Sequence, residues 1–349
     1  MELSKRKELI LGSIVEYYVE TGNPIGSKFL VGALPFTVSS ATIRNEMAEL
    51  SEMGYLEQPH TSAGRIPSDK GLRYYADKLL KICSPSQSEM LRLSSGVDHF
   101  EGDAKLILTE ISETLSELTG SLTAATTPYL PDAVINNIQL LPMGKRSALV
   151  VFSTSAGIFK SRIAKLQNDA DYSLFELFYN VCAANFIGST LGAITKASVQ
   201  GIAASLGERA LDLAPLIVSL FDAITDCSRT ELIVRGYEKL SASSLRSDAP
   251  GILELFSKRE ITDKLLKENT SGDVKLKIGS ENGFSALRNA SLITVPYRAG
   301  GNEAGVISAV VPAKTDYRQT VPLVKYAGEL ATQLISGNIN IYGKDDLNG

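Results

Sequence analysis

The residues of this chain best suited to chemistry lie close together, in the run SSATIRN from Ser39 to Asn45. If a helix starts at Ser40, then Ile43, Met47 and Leu50 recur on one face, and Thr42, Arg44, Asn45 and Glu49 fall on the outer side near its first turns. Those are the residue types that read DNA. Arg can bond O6 and N7 of guanine, Asn can bond N6 and N7 of adenine, and Ser or Thr can anchor phosphates. Such residues act from the N-terminal turns of a helix lying in the major groove. An ordinary surface helix, with Arg44 paired to a neighbouring Glu, fits this segment equally well.

The segment that follows favours the first reading. Tyr55 to Pro59 and Ile66-Pro67 suit two short strands, and between them lies the polar turn His60, Thr61, Ser62, Ala63, Gly64, Arg65. A helical hairpin followed at once by a β-hairpin is the order of a winged helix-turn-helix. Its wing, here His60, Thr61, Ser62 and Arg65, reaches DNA backbone or minor groove. An exposed loop would have the same composition, so order and spacing carry this argument.

Other chemistries find little support. The chain has two histidines, His60 and His99, and neither adjoins a nucleophile-elbow motif, so no catalytic residue is expected. Cys83, Cys182 and Cys227 are far apart and form no CxxC, which predicts free thiols and no metal site. The Gly-rich run Arg298 to Gly305 lacks the GxxxxGK[ST] pattern and sits between strand-like segments, as a hairpin turn would. No cofactor is implied. No apolar run reaches the roughly 18 residues needed to span a bilayer, and no secretory signal is recognisable at the start. A cytoplasmic protein with no membrane partner is expected.

These side chains need elements to hold them. At 349 residues with 44% hydrophobic and 21% charged residues, the chain has the composition of several folded domains. Apolar spacing predicts helices from Ser4 to Glu20, Ile25 to Val31, Ser40 to Met53 and Ser68 to Lys81. Ser84 to Ser88 reads as a linker, and Ser94 to Gly102 as a second break. Lys105 to Leu122 is amphipathic. Val134 to Leu141, Ala148 to Thr154 and Ile158 to Leu166 suit an antiparallel meander. The helical period returns from Tyr172 to about Asp226, with Pro215 expected to divide two helices, and again from Glu254 to Lys267. Strands then follow at Val274 to Ile278, Ser291 to Pro296 and Ala304 to Val311, before a last helix from Asp316 to Ile335. Strands, a helical block and more strands predict an α+β domain with a helical insertion.

Residues 22–80, with the run SSATIRNEMAELSEMGYLEQPHTSAGRIPSDKGLRYYADKLL, resemble the N-terminal domain of the HrcA family of heat-inducible transcription repressors. Later blocks, Asn137 to Leu140, Val274 to Asn282 and Leu292 to Gly301, extend the resemblance more loosely along the chain. Arg235 to Ser247 departs from the family pattern. The resemblance implies a winged-helix DNA-binding domain over 1–82 and a linker over 83–103. It implies a GAF-like domain built from 104–171 and 272–338, an inserted, mainly helical dimerisation domain over 172–271, and a polar tail over 339–349. It further implies repression of chaperone genes by a homodimer on double-stranded operator DNA, an inverted repeat of the CIRCE type. The GroEL chaperonin would maintain the active form. A two-fold operator calls for a two-fold protein. The competing reading is a metabolite-sensing regulator that uses the GAF-like domain.

Charge speaks against nucleic acid at first sight, with 35 Lys and Arg against 39 Asp and Glu. Residues 1–81 carry ten of each sign, but Lys5-Arg6-Lys7 cluster, and Gln58 to Lys81 holds five bases against two acids. Local basic patches and a modest salt dependence of binding are therefore expected.

Overall fold

In a computed structural model the described residues are 3–60, 63–80, 83–97, 103–128, 130–169, 171–227, 230–258, 261, 264, 274–299 and 301–337. The head opens with α1 (Lys5–Thr21), capped by Ser4 and closed by Gly22 in the left-handed region at φ 69°. Next come α2 (Ser27–Ala33) and α3 (Ser40–Glu52). None of the three could bury its own stripe. Ile10, Leu11, Ile14 and Val15 of α1 close instead on Leu30 of α2 and on Ile43, Met47 and Leu50 of α3.

The wing is the antiparallel pair β1 (Leu56–Glu57) and β2 (Ile66–Pro67). A bridge from Ile25 to Arg65, with backbone hydrogen bonds of 3.0 and 2.9 Å, adds a third strand at its root. Ile25 is therefore extended, and the second helix starts two residues later than its apolar spacing predicts. Gly64 is required here, because a Cβ on it would lie 2.4 Å from the Ile25 carbonyl oxygen. After the wing, α4 (Asp69–Tyr74) is capped by Ser68 and runs into one wide turn, Tyr75–Leu79.

The segment expected to be a linker carries a helix, α5 (Gln87–Ser95). Ser86 and Glu89 form a capping box that starts it, and Leu93 is fully buried. A Ser-rich stretch reads as a linker by composition, and the same serines serve as caps. Then α6 (Ala104–Thr119) leads into β3 (Leu122–Thr126), a strand absent from the sequence reading. All five β3 residues are buried, so it lacks the alternation that would mark it.

Five antiparallel strands form the main sheet in the order β7-β3-β10-β9-β8, with β7 (Leu232–Arg235), β8 (Lys275–Ile278), β9 (Ala290–Ala299) and β10 (Asn302–Pro312). The Gly-rich run is the β9–β10 hairpin, as expected. Both faces of the sheet are covered. Ile293, Val295 and Tyr297 of β9 join the core beneath α6 and α12 (Tyr317–Gly337), while Ala290 and Leu292 face a second core with α10 (Tyr237–Ala242) and α11 (Ala249–Ser257).

The meander forms a separate sheet, β4 (Ile135–Gly144), β5 (Ser147–Thr154) and β6 (Phe159–Lys165). Accompanying it are α7 (Tyr172–Asn185), α8 (Lys196–Ser205) and α9 (Ala210–Cys227). Leu213, Leu216, Ile217, Leu220 and Ile224 of α9 are buried in one core with Val150 and Phe152 of β5 and Ala164 of β6. The chain thus leaves the main sheet after Thr126 and rejoins it at Leu232, in the neighbouring strand. The inserted unit lies between residues 127 and 231 and includes the three strands, rather than spanning 172–271. Nor does Pro215 divide the helix. It sits inside α9, and Leu211, whose carbonyl loses its partner, lies on the solvent side. Most of the predicted helix beyond Ser257 and the 339–349 tail lie outside the described residues.

Two predictions follow from this packing. Cys83 is exposed and Cys182 and Cys227 are buried, with burial pushing their thiols up to about 12 and about 11. A thiol-disulfide reagent at pH 8 should therefore titrate one thiol per native chain and three in denaturant. Replacing Gly64 by Ala should destabilise the wing root by roughly 1–3 kcal/mol. Thermal unfolding and exchange of the Ile25 and Arg65 amides report that loss.

Candidate nucleic-acid interface

Ser39 caps α3: its Oγ accepts the Thr42 N–H at 3.1 Å and lies 2.9 Å from the Thr42 hydroxyl. Both hydroxyls are thus engaged at the first turn. Ser40 turns the other way. Its Oγ lies 3.0 Å from Ser27 Oγ in the first turn of α2, so Ser40 fixes one helix against the other and does not face outward. Burial of Ile43, Met47 and Leu50 then leaves Arg44 and Asn45 exposed.

The sequence left open whether Arg44 pairs with a neighbouring Glu. It does not. Glu46 and Glu49 are taken by α1: Lys7 lies 3.0 Å from Glu46 and 2.8 Å from Glu49, and Arg6 lies 3.4 Å from Glu46. Hydrogen bonds to Glu49 and Glu46 hold the Lys7 ammonium above its ordinary range, so the group stays charged. Glu46 and Glu49 of α3 are therefore offset from below, and its one arginine makes no ion pair among the described residues.

In the wing, His60 is exposed and its carbonyl accepts the Ala63 N–H at 2.8 Å, while Gln58 Nε2 donates to the Ala63 carbonyl at 3.0 Å. Thr61 and Ser62 lie outside the described residues. Arg65 sits at the root of the hairpin, half-buried, with its backbone paired to Ile25 and its Nε buried without a partner.

The basic pool is smaller than the sequence count implies. Arg6 and Lys7 serve Glu46 and Glu49. Lys70 donates to the Met53 carbonyl at 2.7 Å and lies over the Tyr55 ring, and Arg73 pairs with Glu281 and Asp77. Lys28 enters in their place. The Ser27–Ser40 contact brings the first turns of α2 and α3 together, and Lys28 is exposed beside them with no ion pair among the described residues. Residue spacing alone does not link Lys28 to the site, because that link is made through a hydroxyl pair across two helices.

Among the described residues no cluster of three or more His, Cys, Asp or Glu side chains suits a metal, and no helix is long and apolar enough to cross a membrane. A cavity of about 790 Å³ lies between the head and the main-sheet domain, lined by Glu16, Gly22, Lys314 and Arg318 among others.

The family model described as HrcA protein C terminal domain matches residues 105–321. The heat-inducible transcription repressor HrcA of Acetivibrio thermocellus is 32% identical over 331 residues, covering 93% of this chain and 94% of the relative. That of Caldanaerobacter subterraneus subsp. tengcongensis is 31% identical, covering 97% and 99%. A crystal structure described as a hypothetical protein at 2.2 Å resolution has the same fold, with a TM-score of 0.63 at 24% identity over 97% of this chain and 100% of that one. The chain belongs to the HrcA family of heat-inducible transcription repressors, which are not enzymes.

Proposed function

We propose that the chain represses heat-shock chaperone genes in the cytoplasm by binding an inverted-repeat operator of the CIRCE type as a homodimer. Each α3 enters the major groove, and the 58–65 hairpin rests on the adjacent backbone or minor groove. The observation that carries this reading is the face of α3, where Arg44 and Asn45 are exposed while α1 offsets Glu46 and Glu49. Arg44 and Asn45 read bases, while Lys28 and the one O–H that the Ser39–Thr42 hydroxyl pair leaves over serve the phosphates.

Dimerisation through the inserted unit is supported by its small sheet. Leu141, Leu149 and Ile163 stand side by side in register, and Leu141, Ile163, Met143 and Phe159 are exposed. A second copy would cover such a face. The main-sheet domain, as the GAF-like unit, then joins the heads to the dimer. Maintenance by the GroEL chaperonin accords with the topology. The β3–β7 pair cannot close until residues 127–231 have been accommodated, and such non-local pairing is slow and leaves apolar strands exposed.

A mobility-shift titration on an inverted repeat tests the reading. Arg44→Ala or Asn45→Ala should weaken operator binding by about 5- to 150-fold and erase discrimination at one base position, as expected for the loss of a 1–3 kcal/mol base contact. Arg65→Ala should weaken all sequences alike by loosening the wing root. The slope of log affinity against log salt should be no steeper than about −8 for the dimer, and Lys28→Ala should flatten it by about 2, one phosphate in each head. An Arg44→Ala protein with unchanged affinity and specificity would refute the groove assignment.

A further inference from the structure

Two side chains of α4, Asp69 and Arg73, reach the main-sheet domain. Asp69, at the start of α4, accepts two hydrogen bonds from Ser280 of the main-sheet domain, from its N–H at 3.0 Å and its hydroxyl at 2.9 Å. One turn later Arg73 donates from Nε to Glu281 at 2.9 Å, and its outer nitrogen reaches both the second Glu281 oxygen and the Leu276 carbonyl. The receiving turn, Gly279–Asn282, is built to fit. Asn282 Nδ2 donates to the carbonyls of Gly279, Leu287 and Ala290, and Glu281 also accepts the Ile278 N–H at 2.8 Å. Gly279 is held at φ 53°, and a Cβ there would lie 2.4 Å from an Asp69 carboxylate oxygen. Burial alone would raise the Glu281 carboxyl, but the bonds from Arg73 and Ile278 hold it below the ordinary carboxylate range.

A second set of ties flanks the first. Glu16 of α1 lies 3.7 Å from Arg318, which is itself forked onto Asp316, and the Cys83 N–H donates to the Arg318 carbonyl at 3.3 Å. Lys314 lies over the Tyr18 ring. The head is therefore held through both α4 and α1, while Arg44 and Asn45 on α3 stay exposed.

From this geometry we infer that Asp69 and Arg73 with the 279–282 turn form a latch that sets the direction of the DNA-binding head relative to the main-sheet domain. In a dimer two closed latches hold the heads at one separation and angle, so the latch selects the half-site spacing the protein accepts. Asp69 and Arg73 are positioning residues that act without touching DNA. This inference rests on the operator-binding reading above.

Hydrogen exchange and operator spacing test it together on the full chain. Asp69→Ala should speed exchange of the Ser280 amide by about tenfold or more, because that amide loses its acceptor. For function, inverted repeats are made with the native spacer and with two extra base pairs, which rotates one half-site by about 70° relative to the other. The unmodified protein should lose about 30-fold or more in affinity on the longer spacer, and the Arg73→Ala and Glu281→Gln proteins about 3-fold or less. Glu281→Gln keeps the size of the side chain, so it separates loss of the latch from loss of fold. Unchanged Ser280 exchange would overturn the contact, and faster exchange with an unchanged spacing profile would overturn its role. Failure of the unmodified protein to bind any inverted repeat would instead defeat the operator reading.

Discussion

Lys7 lies between Glu46 and Glu49, and the usefulness of the reading helix depends on that contact. Helix α3 must bury Ile43, Met47 and Leu50, and this requirement leaves three acids, Glu46, Glu49 and Glu52, and one arginine off the buried stripe. Left unpaired, Glu46 and Glu49 would capture Arg44 on the same helix or repel phosphates. Because α1 packs across α3, it can supply Lys7 from below, at 3.0 and 2.8 Å, and Arg6 beside it. The helix that completes the head core thus also sets the charge on the outer face of α3. A head with equal numbers of acids and bases becomes suited to a polyanion through where its charges are spent.

The same helix couples the head to the rest of the chain, since Glu16, two and a half turns on from Lys7, meets Arg318. Together with the Asp69 and Arg73 contacts, this makes a docked head rather than a tethered one. Ion pairs of this kind, half-exposed and few, contribute on the order of 1 kcal/mol each. Such contacts hold a geometry and can be released without unfolding either partner. Covering both faces of the main sheet serves the opposite purpose: two apolar cores make it a rigid base against which the heads are set.

Much of this was legible in the residues themselves. The helices from Ser40 and from Ser68 start within a residue of where apolar spacing placed them, and the meander strands appeared where β-branched runs placed them. The failures have physical causes. Strand β3, LTAAT, is buried on every side, so it has no alternation to reveal it. Ser86 resembled a linker residue because capping and solvation favour the same side chain. Arg73 and Lys70 were counted as cations for phosphate, but their partners Glu281 and Met53 lie far off in sequence or in the backbone.

What the sequence by itself determined is everything that depends on near neighbours: the stripe of α3, the order of helices and wing, and hence the outline of the proposed DNA-binding head. Only the tertiary structure decided which outward residues stay free. It turned Ser40 inward to Ser27, brought Lys28 to the site, left Arg44 unpaired and gave Arg73 to a turn some two hundred residues away. The reason is that periodicity reports which face of an element is apolar, whereas the partner of a charge is fixed by long-range packing that no local spacing records.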